Sequence, residues 1–207
     1  MQNDESLEIL EVETLYEGFN RLVRATARHR RLDGSWSRPY QREVYLPGLA
    51  VAVLPYDAAL DRLVLIEQQR VPARMAGLPA SLIEIVAGLT EAGEAPEEVA
   101  GRELQEEAGL AAKALVRIAD FLPSPGSSAH RLQIYFAAVD AAGAGGWHGL
   151  EEEDEQVRAF QAAPEEVEAW LKAGRIHNGV ALIALQWFLL HHKTLRSGAL
   201  PEPLPAP

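Results

Sequence analysis

The stretch Gly88–Leu110 reads GLTEAGEAPEEVAGRELQEEAGL and decides the fold predicted for this chain. Pro96-Glu97-Glu98 is a favourable first helical turn, because proline suits the N1 position and acidic side chains stabilise the positive end of the helix dipole. Gly109 is typical of the residue just beyond a helix C-terminus. The pattern therefore predicts a helix from Pro96 to about Ala108.

Three glutamates share one face of this predicted helix. Glu106 and Glu107 follow Glu103 by three and four residues. On a helix, this spacing places their Cβ atoms roughly 5–6 Å from that of Glu103. Like charges at that distance repel unless something compensates them, and a divalent cation would do so. Carboxylate oxygens select hard ions, here Mg²⁺ or Mn²⁺. Taken alone, the same spacing is more typical of a solvated acidic face. The choice between a metal site and such a face therefore depends on the surrounding residues.

Composition and charge limit the classes of function. The 207 residues, 48% hydrophobic and 24% charged, suit one globular domain with or without a small appendage. With no cysteine, disulfides and thiolate metal sites are excluded. The net charge of −11 argues against nucleic acid as a partner. No secretory signal is predicted, because the N-terminus is acidic and lacks a basic segment followed by an apolar one. No membrane span is predicted, because the longest apolar stretch, Val180 to Leu190, is too short, and a cytoplasmic location is expected.

Hydrophobic patterning predicts the elements around the helix. Residues 11–46 are strand-like, with a turn at Asp33-Gly34. Further strands are predicted at 49–55, 62–68, 82–87, 114–121 and 132–139, and helices at 164–173 and 179–192. Predicted regions are an N-terminal antiparallel strand region (1–46), a main domain (47–196) and a disordered Pro-rich tail (197–207). The order indicates an α+β fold with a mixed sheet flanked by helices.

The quoted stretch resembles the Nudix box: Gly, five residues, Glu, seven residues, Arg-Glu, an aliphatic, any residue, Glu-Glu, any residue, Gly, an aliphatic. The positions that meet it without exception are Gly88, Glu94, Arg102, Glu103, Leu104, Glu106, Glu107, Gly109 and Leu110. The resemblance implies the Nudix fold, a loop–helix–loop packed into an α/β/α sandwich with a mixed sheet, plus the N-terminal antiparallel strands. It implies hydrolysis of a nucleoside diphosphate linked to another group, and it reverses the solvated-face interpretation.

Roles inside the box follow from the same resemblance. The implied metal ligands are Glu103, Glu107 and the backbone carbonyl of Ala87, and Glu106 assists catalysis. Gly88 is expected to make a turn that brings backbone close to the pyrophosphate.

Two further residues of the box are expected to be structural. The resemblance implies that Arg102 and Glu94 hold the loop–helix–loop together rather than touch substrate.

Outside the box, the chain resembles the bacterial ADP-ribose pyrophosphatases from about Leu7 to about His192. The segments that carry this resemblance are 13–19, 66–70, 124–126, 148–158 and 183–187. A proline about fifteen residues beyond the box is associated with ADP-ribose preference, and Pro125 stands there. The implied reaction is Mg²⁺-dependent hydrolysis of ADP-ribose to AMP and ribose 5-phosphate. GDP-mannose or another nucleoside diphosphate sugar is the alternative substrate.

Substrate contacts are carried over position by position. Arg70 resembles the phosphate-binding arginine, and its planar fork suits a diphosphate. Phe19 and Arg42 resemble the pair that holds adenine, with Phe19 reaching in from a partner subunit. The alternatives are that Phe19 is a core residue and Arg42 a strand surface residue. The remaining implied contacts are Glu84 with the adenine or ribose edge, Leu89 and Ser124.

The acidic run at 151–155 is a second candidate. On its own, it is typical of a solvated loop. The resemblance implies that Glu153 is the general base for the attacking water and that Glu155 is a metal ligand, in a register that can shift by one residue. The pattern departs from the family at His130, where a glutamate is usual. Either the lost carboxylate contact is supplied elsewhere or the sugar-side specificity differs.

Assembly and a rival function complete the predictions. The N-terminal strands are too few to bury both faces alone, so a homodimer is expected, as in the resembling family. A rival of another class is a sensor that binds the nucleotide sugar without cleaving it. The intact Glu103, Glu106 and Glu107 argue against that rival.

Overall fold

A computed structural model describes residues 5–149 and 156–205 of the chain. The chain divides into two compact units: Met1–Gly48 with Leu122–Arg131, and Leu49–Phe121 with Leu132–Pro207. The predicted boundary after residue 46 lies two residues before the end of the first segment. The regions assigned from the sequence stay a prediction.

The first unit contains an antiparallel sheet in the order β1-β2-β3. Its strands are β1 (Leu7–Glu17), β2 (Arg21–His29) and β3 (Tyr40–Tyr45). The turn predicted at Asp33-Gly34 lies between β2 and β3, where Gly34 has a φ of 81° and an Asp33 carboxylate oxygen accepts the Ser35 backbone N–H at 2.8 Å. The first strand begins four residues before the predicted start.

The second unit is built on a larger sheet whose main path runs β10-β11-β5-β4-β9-β8, with β6 paired to β5 and β7 paired to β4. The strands are β4 (Leu49–Asp57), β5 (Arg62–Gln69), β6 (Ser81–Glu84), β7 (Val86–Leu89), β8 (Ala114–Phe121), β9 (Arg131–Ala138), β10 (Gly146–His148) and β11 (Val157–Ala162). The helices are α1 (Val71–Met75), α2 (Pro96–Ala108), α3 (Pro164–Lys172) and α4 (Gly179–Leu195).

The sheet is mixed, as predicted. Its β5 partners are antiparallel, whereas β4 and β9 run in the same direction. This direction follows from two backbone bonds with the same sequence offset: Arg131 N–H donates to the Gly48 carbonyl at 3.3 Å, and Val139 N–H donates to the Tyr56 carbonyl at 3.1 Å. Parallel strands usually have both faces covered. In agreement with this, β4 is buried along almost its whole length.

Alternating side chains of the central strands enter two separate cores. Val51 and Val53 of β4 pack in the core that contains Val99 and Leu104 of α2. The residues between and beyond them belong to the opposite core, which contains Leu54, Tyr56, and Leu185 and Phe188 of α4. Because successive side chains of a strand point to opposite faces, helices cover both sides. The predicted α/β/α sandwich is confirmed.

Two features differ from the predicted elements. The apolar run 82–87 forms two short strands rather than one, because β6 pairs with β5 and β7 pairs with β4, with buried Ile85 between them. Helix α1 and the β10–β11 hairpin were not predicted. Helix α1 and the strands β10 and β11 are short elements with weak periodicity, which makes them difficult to recognise from sequence.

The C-terminal segment makes specific contacts near its end. Leu204 N–H donates to the Arg117 carbonyl at 3.1 Å, and the Arg117 guanidinium donates to the Pro205 carbonyl at 2.5 Å. The predicted disorder from residue 197 stays a prediction. Throughout the described ranges, the helices are too short or too polar to cross a membrane.

Asp61 connects the β4–β5 turn to the end of α4. Its carboxylate accepts hydrogen bonds from the Tyr56 hydroxyl at 2.7 Å, from His192 Nε2 at 2.7 Å and from Arg196. Asp61 is buried and is the one described non-glycine residue with positive φ, 53°. The side-chain bonds therefore hold a backbone conformation that non-glycine residues adopt at a cost.

Replacing Asp61 with alanine should lower the free energy of unfolding by about 2–4 kcal/mol, because the buried Tyr56 hydroxyl and His192 lose their acceptor. Asp61→Gly is the matched control: it removes the same acceptor but relieves the left-handed backbone, and it should be about 1 kcal/mol less destabilising than alanine. Urea unfolding measures both. Equal stability of the alanine variant and the wild type would contradict this role.

Candidate active site

Helix α2 begins and ends where its sequence predicts. Pro96 occupies the first turn, and the Glu98 carboxylate accepts the Ala95 backbone N–H at 3.0 Å. Gly109 ends the helix with a φ of 66°, and its N–H donates to the Gln105 carbonyl at 3.0 Å. One apolar stripe of the helix is buried against the sheet, which fixes the direction of the glutamate face.

The glutamates expected to bind metal lie against strand β7. Glu107 is only 2% exposed, and its carboxylate accepts the Ala87 backbone N–H at 2.9 Å. Glu103 is 9% exposed and lies against Gly88. Glu106, by contrast, is half-buried. The strand thus brings Ala87, Glu103 and Glu107 together as the sequence analysis expected.

Gly88 is required for a reason that differs from the predicted one. It lies within β7, opposite Val51 of β4, and not in a turn. A Cβ atom at this position would lie 1.7 Å from Oε1 of Glu103 and 2.1 Å from its Cδ. Glycine is therefore needed because the Glu103 carboxylate occupies the space of the missing side chain.

Arg102 supplies positive charge to the same face. Its guanidinium contacts Glu94 at 3.1 Å, Glu103 at 2.7 Å and Glu106 at 3.2 Å, and it donates to the Leu89 carbonyl at 3.4 Å. The hydrogen bond to Glu94 raises the pKa of Arg102 above its ordinary value, and the same bond lowers the pKa of Glu94. These contacts match the expected role of Arg102 and Glu94 in holding the loop and the helix together.

The donor set of this face suits a hard divalent cation. Glu103, Glu106 and Glu107 offer carboxylate oxygens, and the Ala87 carbonyl is a further oxygen donor. Within residues 5–149 and 156–205, no group of three or more His, Asp or Glu side chains is arranged as a metal site. In this arrangement, Arg102 is the counter-ion of Glu103 and Glu106.

Arg70 and Glu84, both expected to contact substrate, pair with each other. The Arg70 Nε lies 3.1 Å and its Nη2 lies 2.8 Å from the same Glu84 oxygen, and Nε lies 3.3 Å from the other oxygen. Glu84 is only 3% exposed, whereas the Arg70 side chain is partly exposed. The pair orients the Arg70 guanidinium at the end of β5, and sequence reasoning did not find this contact.

Phe19 and Arg42 belong to the first unit. Phe19 lies in the turn between β1 and β2 and is 92% exposed, so the alternative that it is a core residue of this chain is wrong. Arg42 lies in β3, with its guanidinium 4.7 Å from the centre of the Tyr40 ring. Their adenine-binding roles stay predictions.

The remaining implied contacts have varied surroundings. Leu89 ends β7 and is partly exposed. Ser124 and His130 lie in the Leu122–Arg131 segment of the first unit. The Ser124 hydroxyl lies 3.4 Å from that of Ser127. Burial lowers the pKa of His130, whose Nε2 is buried without a hydrogen-bond partner among the described residues.

Glu153 and Glu155 of the acidic run lie outside the described residues. On either side of the run, His148 of β10 pairs with Val157 of β11. Next to this pair, Gly149 N–H donates to the Glu106 carbonyl at 3.3 Å. The base of the hairpin that carries the acidic run is therefore attached to the last turn of α2.

Known proteins resemble this chain in sequence. A family model described as the NUDIX domain matches residues 46–181. The chain is 42% identical over 191 residues to an ADP-ribose pyrophosphatase of Escherichia coli (strain K12), an alignment that covers 92% of this chain and 91% of the relative. A GDP-mannose pyrophosphatase of Enterobacter sp. (strain 638) is more distant, at 33% identity over 150 residues, covering 72% and 77%.

A solved structure gives the same fold. A chain from "Crystal structure of ADP compounds hydrolase" superposes with a TM-score of 0.67, covering 95% of this chain and 98% of the other at 22% sequence identity. The family model spans well over half of the chain, and every position of the box is present. This chain therefore belongs to the Nudix hydrolase family.

Proposed function

We propose that this protein hydrolyses ADP-ribose to AMP and ribose 5-phosphate with Mg²⁺ as its cation. The observation that carries the proposal is the pair of buried glutamates, Glu103 and Glu107, held against the backbone of Ala87 and Gly88. The 42% identity to an ADP-ribose pyrophosphatase over nine-tenths of both chains supports the choice of substrate.

The chemistry fits the chain's charge. Ala87, Glu103, Glu107 and Glu155 would hold the divalent ions, which would supply positive charge for a diphosphate and would make a water molecule more acidic. Glu106 assists from the same face of the helix. Arg102 holds that face together through its ion pairs with Glu94 and Glu103, and these contacts set the arrangement of the carboxylates without a cation.

Glu153 is the proposed general base for the attacking water. Both ends of the hairpin that carries it are fixed, by the His148–Val157 pair and by the bond from Gly149 to the Glu106 carbonyl. A general base has to lie within hydrogen-bonding reach of the water, directly or through one other water. Anchoring at the last turn of α2 supports this role for an acid of the run.

Substrate contacts extend the proposal. Arg70 binds the phosphates, since Glu84 fixes its planar fork, and Glu84 contributes to binding the adenine or ribose edge. Phe19 and Arg42 hold adenine, and Leu89, Ser124 and His130 contact the substrate. A cytoplasmic location remains part of the proposal.

The chain is also proposed to form a homodimer. Several apolar side chains of β1 are exposed: Leu7, Ile9, Leu10, Val12 and Tyr16. Burial of this surface against a second copy would remove it from water. Light scattering should give twice the 22.6 kDa chain mass, and Val12→Asp should shift the mass towards one copy. A wild-type mass of one copy at micromolar concentration would contradict the dimer.

The function is tested by product identity. With Mg²⁺, the wild type should release AMP and ribose 5-phosphate from ADP-ribose. Its kcat/KM for ADP-ribose should be at least about tenfold higher than its kcat/KM for GDP-mannose. Glu107→Gln should lose activity by at least about 100-fold and keep its fold, because the amide oxygen can still accept the Ala87 N–H. Repeating the assay with Mn²⁺ compares the two cations.

Two outcomes of this assay would contradict the proposal. Faster turnover of GDP-mannose would assign the other substrate to the same site. If no AMP forms while ADP-ribose still raises the melting temperature, the protein is a nucleotide-sugar sensor and not a hydrolase.

Gly88→Ala should reduce kcat/KM for ADP-ribose by at least about 100-fold, because the new methyl group displaces the Glu103 carboxylate. Gly101→Ala is a matched control within α2. A Cβ there meets nothing within 4 Å, so activity should be retained and stability should rise by up to about 1 kcal/mol. Steady-state kinetics and thermal unfolding of both variants check this. Full activity of Gly88→Ala would show that the Glu103 position is unimportant.

A further inference from the structure

Gln68 is a buried polar residue to which neither the family pattern nor the proposed mechanism assigns a role. It lies near the end of β5 and is 6% exposed. Its Nε2 is buried and has no hydrogen-bond partner among the described residues. An amide nitrogen of this kind carries two protons that can only be donated.

Strand geometry fixes the side of the sheet that Gln68 faces. Val64 and Ile66, which lie four and two positions before it, pack in the core shared with α2. Gln68 therefore points to the α2 side, since side chains two apart share a face. The same face carries Glu84, which pairs directly with Ile66 across β5 and β6.

Gln68 pairs with Leu82 of β6, and two other residues on or near this face connect it to the proposed site. Glu84 lies on the adjacent strand and holds Arg70, the residue two positions beyond Gln68. Val157 of β11, where the hairpin carrying the acidic run closes, is buried in the same core. Gln68 thus lies on the α2 side of the sheet, on the strand that leads to Arg70 and next to the strand that follows the acidic run.

Leaving a buried donor without an acceptor destabilises a protein by about 1–3 kcal/mol. Such a donor is kept when an acceptor absent from the folded chain completes it. Charged oxygens accept the strongest hydrogen bonds, and a diphosphate offers several of them. We infer that the side-chain amide of Gln68 donates a hydrogen bond to an oxygen of the bound diphosphate and so positions it beside Arg70. This inference rests on the proposed function.

The test compares Gln68→Met, which keeps the length of the side chain and removes its donor, with Gln69→Met at the exposed neighbouring position. The probe is ADP-ribose with a methylene group in place of the bridging diphosphate oxygen, bound in the presence of Mg²⁺. Gln68→Met should weaken its binding about 10- to 100-fold, since a hydrogen bond to a charged group is lost. Gln69→Met should bind within twofold of the wild type.

Thermal unfolding and kinetics separate positioning from a structural role. Without ligand, the melting temperature of Gln68→Met should equal or exceed that of the wild type, because the substitution removes an unsatisfied buried donor. KM for ADP-ribose should rise more than kcat falls. Gln68→Glu, which keeps the shape but adds a negative charge, should bind the analogue more weakly still.

Three results would overturn the inference. Binding of the analogue by Gln68→Met within twofold of the wild type would exclude a contact with the diphosphate. A fall in kcat with unchanged binding of the analogue would indicate that the Gln68 amide donates to a carboxylate of the protein and not to the diphosphate. A large drop in melting temperature with unchanged binding would assign it to the folded core. Failure of the wild type to cleave ADP-ribose would instead contradict the proposed function, so the two failures are distinguishable.

Discussion

The electrostatic repulsion among carboxylates on one face of α2 is the constraint on which the rest of the site depends. Glu103 and Glu107 are both nearly buried, so water screens their charges poorly. In a chain with a net charge of −11, compensation has to be local. Arg102 compensates Glu103 and Glu106, and the Ala87 N–H donates to Glu107. In the proposed function, a divalent cation completes the compensation that these groups begin.

Regular elements, a strand and a helix, hold these carboxylates in place. Strand β7 pairs with β4 in the centre of the sheet, and α2 packs its apolar stripe on the same face. Gly88 allows the carboxylate of Glu103 to approach the strand at a distance that any side chain would prevent. The site therefore lies on rigid elements, which suits chemistry that requires fixed donor positions.

Local sequence signals predicted the parts of the structure that depend on neighbouring residues. Helix α2 could be predicted from Pro96 to Gly109 because its first turn, its stripe and its C-terminal glycine all agree. The split of 82–87 into two strands could not be predicted, since it depends on which distant strands lie beside each half. The short β10–β11 hairpin was missed for a related reason, because its pairing is brief.

The candidate site shows the same division. The glutamates of the box followed from their spacing and from the family resemblance, and the structure places Glu103 and Glu107 against β7. The role of Gly88 was misassigned because a glycine required by a neighbouring carboxylate looks the same in sequence as one required by a turn. The Arg70–Glu84 pair and the Gln68 Nε2 atom, which lacks a hydrogen-bond partner among the described residues, depend on the register of β5 with β6, which sequence patterns do not give.

The central claim is that the α2 carboxylates form a site for hard divalent cations at which a diphosphate is cleaved. Crystals grown with Mn²⁺ and the methylene analogue of ADP-ribose test it most directly, through anomalous scattering. The account predicts anomalous peaks within about 2.5 Å of carboxylate oxygens of Glu103 and Glu107, with the diphosphate bound next to them. A fully bound analogue with no peak beside these two glutamates would contradict it.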